Sequence, residues 1–247
     1  MDAAVDVVVL TWNDPDLANV AITSALQSQE VRVNVIVVDN GSAPPFSWNG
    51  DHAVTVIRNE SNRGVAPARN QGARIGSSQF VCLLDSDARL HNGGLAALLA
   101  PFDDDGRIGL TAPTFSGQAP EASAGRAPTL LRKVRRGFDD AALYEATTHP
   151  PGARWWDVEF AIGACQVFRR AAFDDVGGLD DAIFYGPEDV DFCLRLRAQG
   201  WRIVQLADAV CDHPPRRRNR RLVSRRGADH ALALAKHYWR HRGSGRD

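Results

Sequence analysis

Asp85 and Asp87 flank Ser86 directly after the apolar run 80–84. Side chains at i and i+2 of an extended chain leave on one side, so both carboxylates can approach one hard cation. Mg2+ or Mn2+ held by one or two carboxylates commonly completes its shell with a substrate diphosphate, and it stabilises charge that develops on a leaving diphosphate. Surface loops produce the same tripeptide often, so its place at the end of an apolar strand gives it weight. His213 follows the strand-like stretch 201–206 and precedes two prolines. A lone histidine is more often structural, but an imidazole added to the two aspartates would favour Mn2+ over Ca2+.

A second acidic group, Glu188, Asp189 and Asp191, opens the helical stretch 188–199. Acids in a first turn complement the helix dipole. Three within four positions exceed what capping needs, and an ionised carboxylate is the form a general base requires. Asp189 is the first choice as base, with Asp191 its competitor. Asp39, before Asn40-Gly41-Ser42, either accepts from the imide or amino edge of a nucleobase or shapes an Asx turn. Asn62, Arg63 and Gly64 precede a helix that carries Arg69, Asn70 and Gly72, an anion-facing arrangement of backbone donors and a guanidinium.

The elements that must position these residues alternate. Residues 5–11 are a β-branched strand, and Asp14-Pro15-Asp16 carries a helix-start signal of side-chain cap followed by proline. Apolar positions then recur at helical spacing to residue 28, and 31–38, 53–57 and 80–84 read as further strands. The helix 65–75 is expected to close at Gly76, and the one from 188 at Gly200. Strands apolar on both faces alternating with helices give an α/β fold, a Rossmann-like, mostly parallel sheet flanked by helices. Ligands bind such sheets beyond the carboxyl ends of the strands, which is where Thr11-Trp12-Asn13, Asp39-Asn40 and Asp85-Ser86-Asp87 fall. The expected organisation is one domain over 1–212, with a first half at 1–112, a flexible loop or insertion at 113–152 and a second half at 153–212. A basic tail with an amphipathic helix at 228–240 occupies 213–247.

Hydrophobic residues form 44% of the 247 and charged residues 24%, the composition of a soluble globular chain. The apolar runs 7–10 and 35–38 fall far short of the roughly 20 residues of a membrane span. The first residues show no secretory signal pattern, so a cytoplasmic location is expected. Four cysteines without a C-x-x-C pair point to buried small residues, not to zinc or a disulfide framework. The net charge of −1 hides an asymmetry, because 213–247 holds eleven Lys and Arg against two acids. That tail suits an anionic partner, and no reading helix or zinc motif makes it a nucleic-acid binder. A dehydrogenase would need G-x-G-x-x-G after the first strand, and a sugar nucleotidyltransferase a glycine-rich phosphate loop there; Thr11-Trp12-Asn13-Asp14 is neither.

The ordered blocks Val-Leu-Thr-Trp-Asn (9–13), Val-Val-Asp-Asn-Gly-Ser (37–42), Asn-x-Gly with Arg-Asn-x-Gly (62–72), Leu-Leu-Asp-Ser-Asp (83–87), Gly-Ala-Cys-x-x-x-Arg (163–169) and Tyr-Gly-Pro-Glu-Asp-Val-Asp-Phe-Cys-x-Arg (185–195) resemble the family 2 glycosyltransferases of GT-A fold. The likeness leans to their rhamnosyltransferase-like and galactofuranosyltransferase-like branch. It implies a metal-dependent inverting transferase that moves a sugar from a nucleotide-diphosphate donor, UDP- or dTDP-linked, to an acceptor hydroxyl in cell-surface glycan or glycoconjugate synthesis. Under it Thr11, Asn13 and Asp39 face the nucleoside, and Asn62, Gly64, Arg69, Asp85 and Ser86 lie along the nucleotide sugar. Asp85, Asp87 and His213 hold Mn2+ or Mg2+, Asp87 foremost. Asp189 takes the acceptor proton, and Glu188 or Asp191 binds the acceptor or donor sugar. A silent nucleotide-sugar- or carbohydrate-binding module on the same fold is the alternative. The Gln-x-x-Arg-Trp signature of processive synthases does not occur.

The 216–226 arginines are expected to hold the chain peripherally on an anionic inner membrane leaflet, within reach of a lipid-linked acceptor, each worth on the order of 1 kcal/mol. The 228–240 helix could insert shallowly or pair two copies of the chain. Co-sedimentation with vesicles should rise with their anionic lipid fraction and fall with salt; binding that ignores both removes the membrane role.

Overall fold

The computed structural model describes residues 4–28, 30–116, 123–126, 145–146 and 149–214. The arginine run 216–226 and the 228–240 helix lie outside them. The first half is a run of β1 (Ala4–Thr11), α1 (Pro15–Leu26), β2 (Arg32–Asp39), β3 (Val54–Arg58), α2 (Val65–Ile75) and β4 (Phe80–Asp85). These four strands lie in the order β3-β2-β1-β4, all parallel. Their valine, isoleucine and leucine side chains alternate between two cores. Val7, Val9, Val35 and Val37 pack on α1, and Val8, Val38, Val81 and Leu83 on α2.

Past β4 come β5 (Arg89–Leu90), α3 (Gly94–Leu99), α4 (Pro101–Asp104) and β6 (Ile108–Ser116), then the short β7 (Ala124–Arg126), β8 (Glu145–Ala146), β9 (Trp155–Asp157) and β10 (Phe160–Ala161). The chain closes with β11 (Cys165–Arg169), α5 (Arg170–Asp175), α6 (Glu188–Ala198) and β12 (Arg202–Asp212). The sheet continues β4-β11-β6-β12-β5, with β9 on β12, while β10, β7 and β8 form a second small sheet. Strand β11 is antiparallel to both β4 and β6, so it reverses within one continuous sheet while β6 and β12 run in the direction of β4.

Several expected boundaries move. Residue 112 falls inside β6, so 113–116 belong to the sheet and not to an insertion. The stretch 158–168 is two strands separated by a turn, and β12 runs on to Asp212. Proline stands at the start of α1 as expected, but Asp14 makes no side-chain cap. Gly76 closes α2 with extended backbone; a Cβ there would run into the Asp6 carboxylate, so close approach is the reason for glycine. Gly200, at φ +87°, does take the left-handed conformation that ends a helix. The four cysteines are free and buried, and no helix among the described residues is long and apolar enough to cross a membrane.

Helix α2 fastens the two halves. Asn70 donates through Nδ2 to the Leu179 carbonyl at 2.8 Å and to Asp181 at 2.6 Å, and its Oδ1 accepts from the Leu179 N–H at 2.9 Å. The Val65 N–H donates to the Phe184 carbonyl at 2.7 Å. Asn70→Ala strands the buried Leu179 groups and should destabilise the chain by about 2 kcal/mol, read as a lower urea midpoint at unchanged m-value.

Candidate active site

Strand register brings the expected residues to one edge. Thr11 pairs with Asp39 across β1 and β2, and Leu10 pairs with Asp85 across β1 and β4, so three polar strand ends stand side by side. Asn13, at φ +59°, donates its N–H to Ser42 Oγ and accepts from the Ala43 N–H, which ties the turn after β1 to the turn after β2. Asn62 caps the turn into α2 by accepting from the Gly64 N–H at 2.9 Å. Gly64, at φ +93°, lies against the Phe184 backbone, where a Cβ would stand 2.7 Å from the carbonyl oxygen.

Asp39 departs from its nucleobase-facing expectation. Its side chain is fully enclosed, with Oδ1 accepting from the Ser42 N–H and Oδ2 from the Phe46 N–H and Arg58. Burial pushes this carboxyl up, yet those donors outweigh it and hold it below the usual range. It shapes the 39–46 turn, which is the Asx reading. The Thr11 hydroxyl is buried with no hydrogen-bond partner among the described residues.

Asp85, Asp87 and His213 converge. Each offers a ligand atom within 4.8 Å of the others, and His213 Nε2 stands 3.8 Å from Asp87 Oδ1. Antiparallel pairing of β5 with β12 causes this: Asp212 faces Arg89, just after the Asp85 to Ala88 turn, so the next residue of β12 arrives beside Asp87. Ser86 is half-buried in that turn. Two carboxylates and an imidazole are a donor set for Mn2+ or Mg2+. Among the described residues the His213 Nδ1 atom is buried without a hydrogen-bond partner. These residues fit a divalent ion.

The facing wall is the start of α6. Asp189 is half-buried, with Oδ2 accepting from the Gly163 N–H at 3.0 Å and Oδ1 from the Val190 N–H at 2.8 Å. Burial raises its carboxyl, and these bonds with the Arg69 charge reduce the rise. Glu188 is buried; burial first, then the neighbouring Asp189, push its carboxyl up to about 7 against the pull of Arg69. Asp191 points the other way. It is fully enclosed and paired with Arg195 at 2.8 Å, which makes it part of an internal ion pair of α6.

Arg69 joins the two walls instead of lining the nucleotide groove. It reaches Asp85 at 2.6 Å and Glu188 at 3.1 Å, and those charges raise its affinity for the proton despite burial. No local pattern signals Arg58 on Asp39, Asn70 as the fastener, or Phe184 and Tyr185, which stand exposed before α6. Tyr185, though, opens the block that carried the resemblance, and Phe184 directly precedes it.

The folded chain keeps the Glu188 proton to about pH 7, whereas a free glutamate loses it near 4.5. Folded protein therefore binds more protons than unfolded across this window, and stability falls as pH rises through it and levels off above. In chelator, melting temperature should drop from pH 5 to about 7.5 in the parent, and Glu188→Gln should flatten that slope; a parent with no slope refutes the buried acid.

Comparison with known proteins agrees with this geometry. Residues 6–177 match the profile described as Glycosyl transferase family 2. The pre-mycofactocin glycosyltransferase of Mycobacterium tuberculosis is 32% identical over 198 residues, 78% of this chain and 40% of that protein. The N-acetylglucosaminyl-diphospho-decaprenol L-rhamnosyltransferase of the same organism is 26% identical over 86% of this chain and 76% of that one. The chain thus spans well under half the first relative's length. The crystal structure of GalNAc-T7 with UDP, GalNAc and Mn2+ superposes with a TM-score of 0.68 at 17% identity, over 89% of this chain and 45% of that one, which places the sheet in the GT-A fold. With the profile running from β1 to just past α5, the chain belongs to glycosyl transferase family 2.

Proposed function

We propose that this chain is a metal-dependent inverting glycosyltransferase, using a nucleotide-diphosphate sugar, UDP- or dTDP-linked, and a hydroxyl-bearing acceptor. The observation that carries the reading is two groups brought together at Arg69: the Asp85, Asp87 and His213 donors, and Glu188 with the adjoining half-buried Asp189. Asp85, Asp87 and His213 would hold Mn2+ or Mg2+, which neutralises charge on a leaving diphosphate. Asp189 would accept the acceptor hydroxyl proton as that oxygen bonds to the anomeric carbon and the bond to the diphosphate oxygen breaks. One in-line displacement inverts the carbon and needs a single base, unlike the two carboxyl roles of a retaining mechanism. Thr11, with its unpartnered hydroxyl, and the turns set by Asn13, Asp39, Asn62 and Gly64 would form the nucleoside end.

The name of the rhamnosyltransferase relative supports a polyprenyl-diphosphate-linked acceptor. That acceptor class fits a chain working at the cytoplasmic face of a membrane through the basic stretch 216–226. Neither role requires a second copy of the chain.

Calorimetric titration with UDP, dTDP and GDP, each with and without Mn2+, should show one nucleotide that binds only with metal. Asp87→Asn should abolish that metal dependence. Asp189→Asn should keep donor affinity and lower turnover at least about 10²-fold, the lower end for a lost general base. Binding that ignores metal, or undiminished turnover in Asp189→Asn, overturns the corresponding assignment.

A further inference from the structure

Arg69 is 4% exposed and its two terminal nitrogens serve opposite walls of the cleft. Nη2 donates to Asp85 Oδ1 at 2.6 Å, on the ion-binding wall, and Nη1 donates to Glu188 Oε1 at 3.1 Å, beside Asp189. Gly163 makes room for the guanidinium, because a Cβ there would overlap Nη1, while the Gly163 N–H holds Asp189. The next residue, Asn70, pins Leu179 and Asp181, so the α6 wall is fixed to the helix that carries the guanidinium. Among the described residues Glu188 Oε2 is buried without a hydrogen-bond partner, and Arg69 is the cation paired with this carboxylate. One positive charge is therefore divided between a carboxylate of the ion site and a carboxylate of the acceptor-side wall.

We infer that Arg69 is a positioning residue that couples the two walls: Glu188 draws the guanidinium away from Asp85 and so keeps the Asp85 carboxylate available to a divalent cation. The coupling runs both ways, because a cation at Asp85 frees the guanidinium toward Glu188 and steadies the wall that carries Asp189. The planar fork is necessary, since a lysine ammonium is a single point charge that cannot hold two carboxylates in separate directions. The inference rests on reading Asp85, Asp87 and His213 as an ion site and adds to it a dependence on Glu188, which is not one of its donors.

The test is calorimetric titration of the whole chain with Mn2+ alone, at pH 8 and without nucleotide. Glu188→Gln should raise the Mn2+ Kd at least about fivefold, the low end of ordinary coupling between sites. Gly163→Ala keeps every charge but pushes Nη1 off Glu188, and it should weaken Mn2+ in the same direction. In an Arg69→Lys background, adding Glu188→Gln should leave the Kd unchanged. Equal weakening in both backgrounds would be through-space attraction and overturns the inference, as does an unchanged Kd in Glu188→Gln. If Arg69→Lys loses its near-ultraviolet dichroism, the Gly163→Ala result decides alone. Absence of Mn2+ binding by the parent overturns the coupling together with the ion site. Sugar transfer is read separately by product formation, so a chain that couples but transfers nothing refutes the transferase reading and leaves the coupling standing.

Discussion

The in-register ends of three parallel strands are the constraint on which the cleft depends. A parallel ladder leaves its last carbonyls without partners, and side chains or turn backbone must satisfy them. Here the ladder steps outward: the Asn40 N–H donates to the Thr11 carbonyl and the Asn59 N–H to the Asp39 carbonyl, both at 2.9 Å. Asn40 then becomes a hub, donating to Asn62 Oδ1 and the Gly64 carbonyl and accepting from Asn59 and the Arg63 N–H. Short amides and carboxylates at these ends are thus required first by backbone bookkeeping. Asp39 shows the cost, because the groups that build its turn consume its carboxylate.

Charge is the second constraint. Removing an ion from water costs several kcal/mol unless partners replace the solvent. Arg69 faces Asp85, Glu188 and Asp189 within one enclosed space, and Glu188 responds by holding its proton to about pH 7. A site with more acid than base is under-neutralised in the direction that favours a divalent cation. The same arithmetic explains the silence of Asp191, whose charge is closed by Arg195 one helical turn away.

Much of this was legible in the sequence, and the exceptions have physical causes. The valine-rich strands 5–11 and 31–38 stood out because both faces of a central parallel strand are buried. The length of β12 did not, since exposed Ala207 and Asp208 interrupt its apolar run at a register shift against β6. The divergence of Asp189 and Asp191 was legible, since residues two apart on a helix point about 200° from each other, but that spacing does not say which of them faces Arg69. Pairings such as Arg69 with Glu188, 119 positions apart, were not decidable, because no local spacing encodes them.

His213 shows how the carboxyl edge of the sheet gathers the chemistry. Strand β12 runs parallel to β6 and β4, so its carboxyl end lies on the edge where Asp85 and Asp87 stand. Strand β11 reverses direction against β4, which sets Ala164 against Asp85 and Gly163 against both Arg69 and Asp189. Two-residue β5 then doubles back from the Asp85 turn and takes β12 as its partner, bringing the end of the described chain to the same turn. The first half therefore supplies the carboxylates by parallel register. The second half supplies the imidazole from the carboxyl end of β12 and the neighbouring acids from the start of α6, and the two meet at the turn after β4.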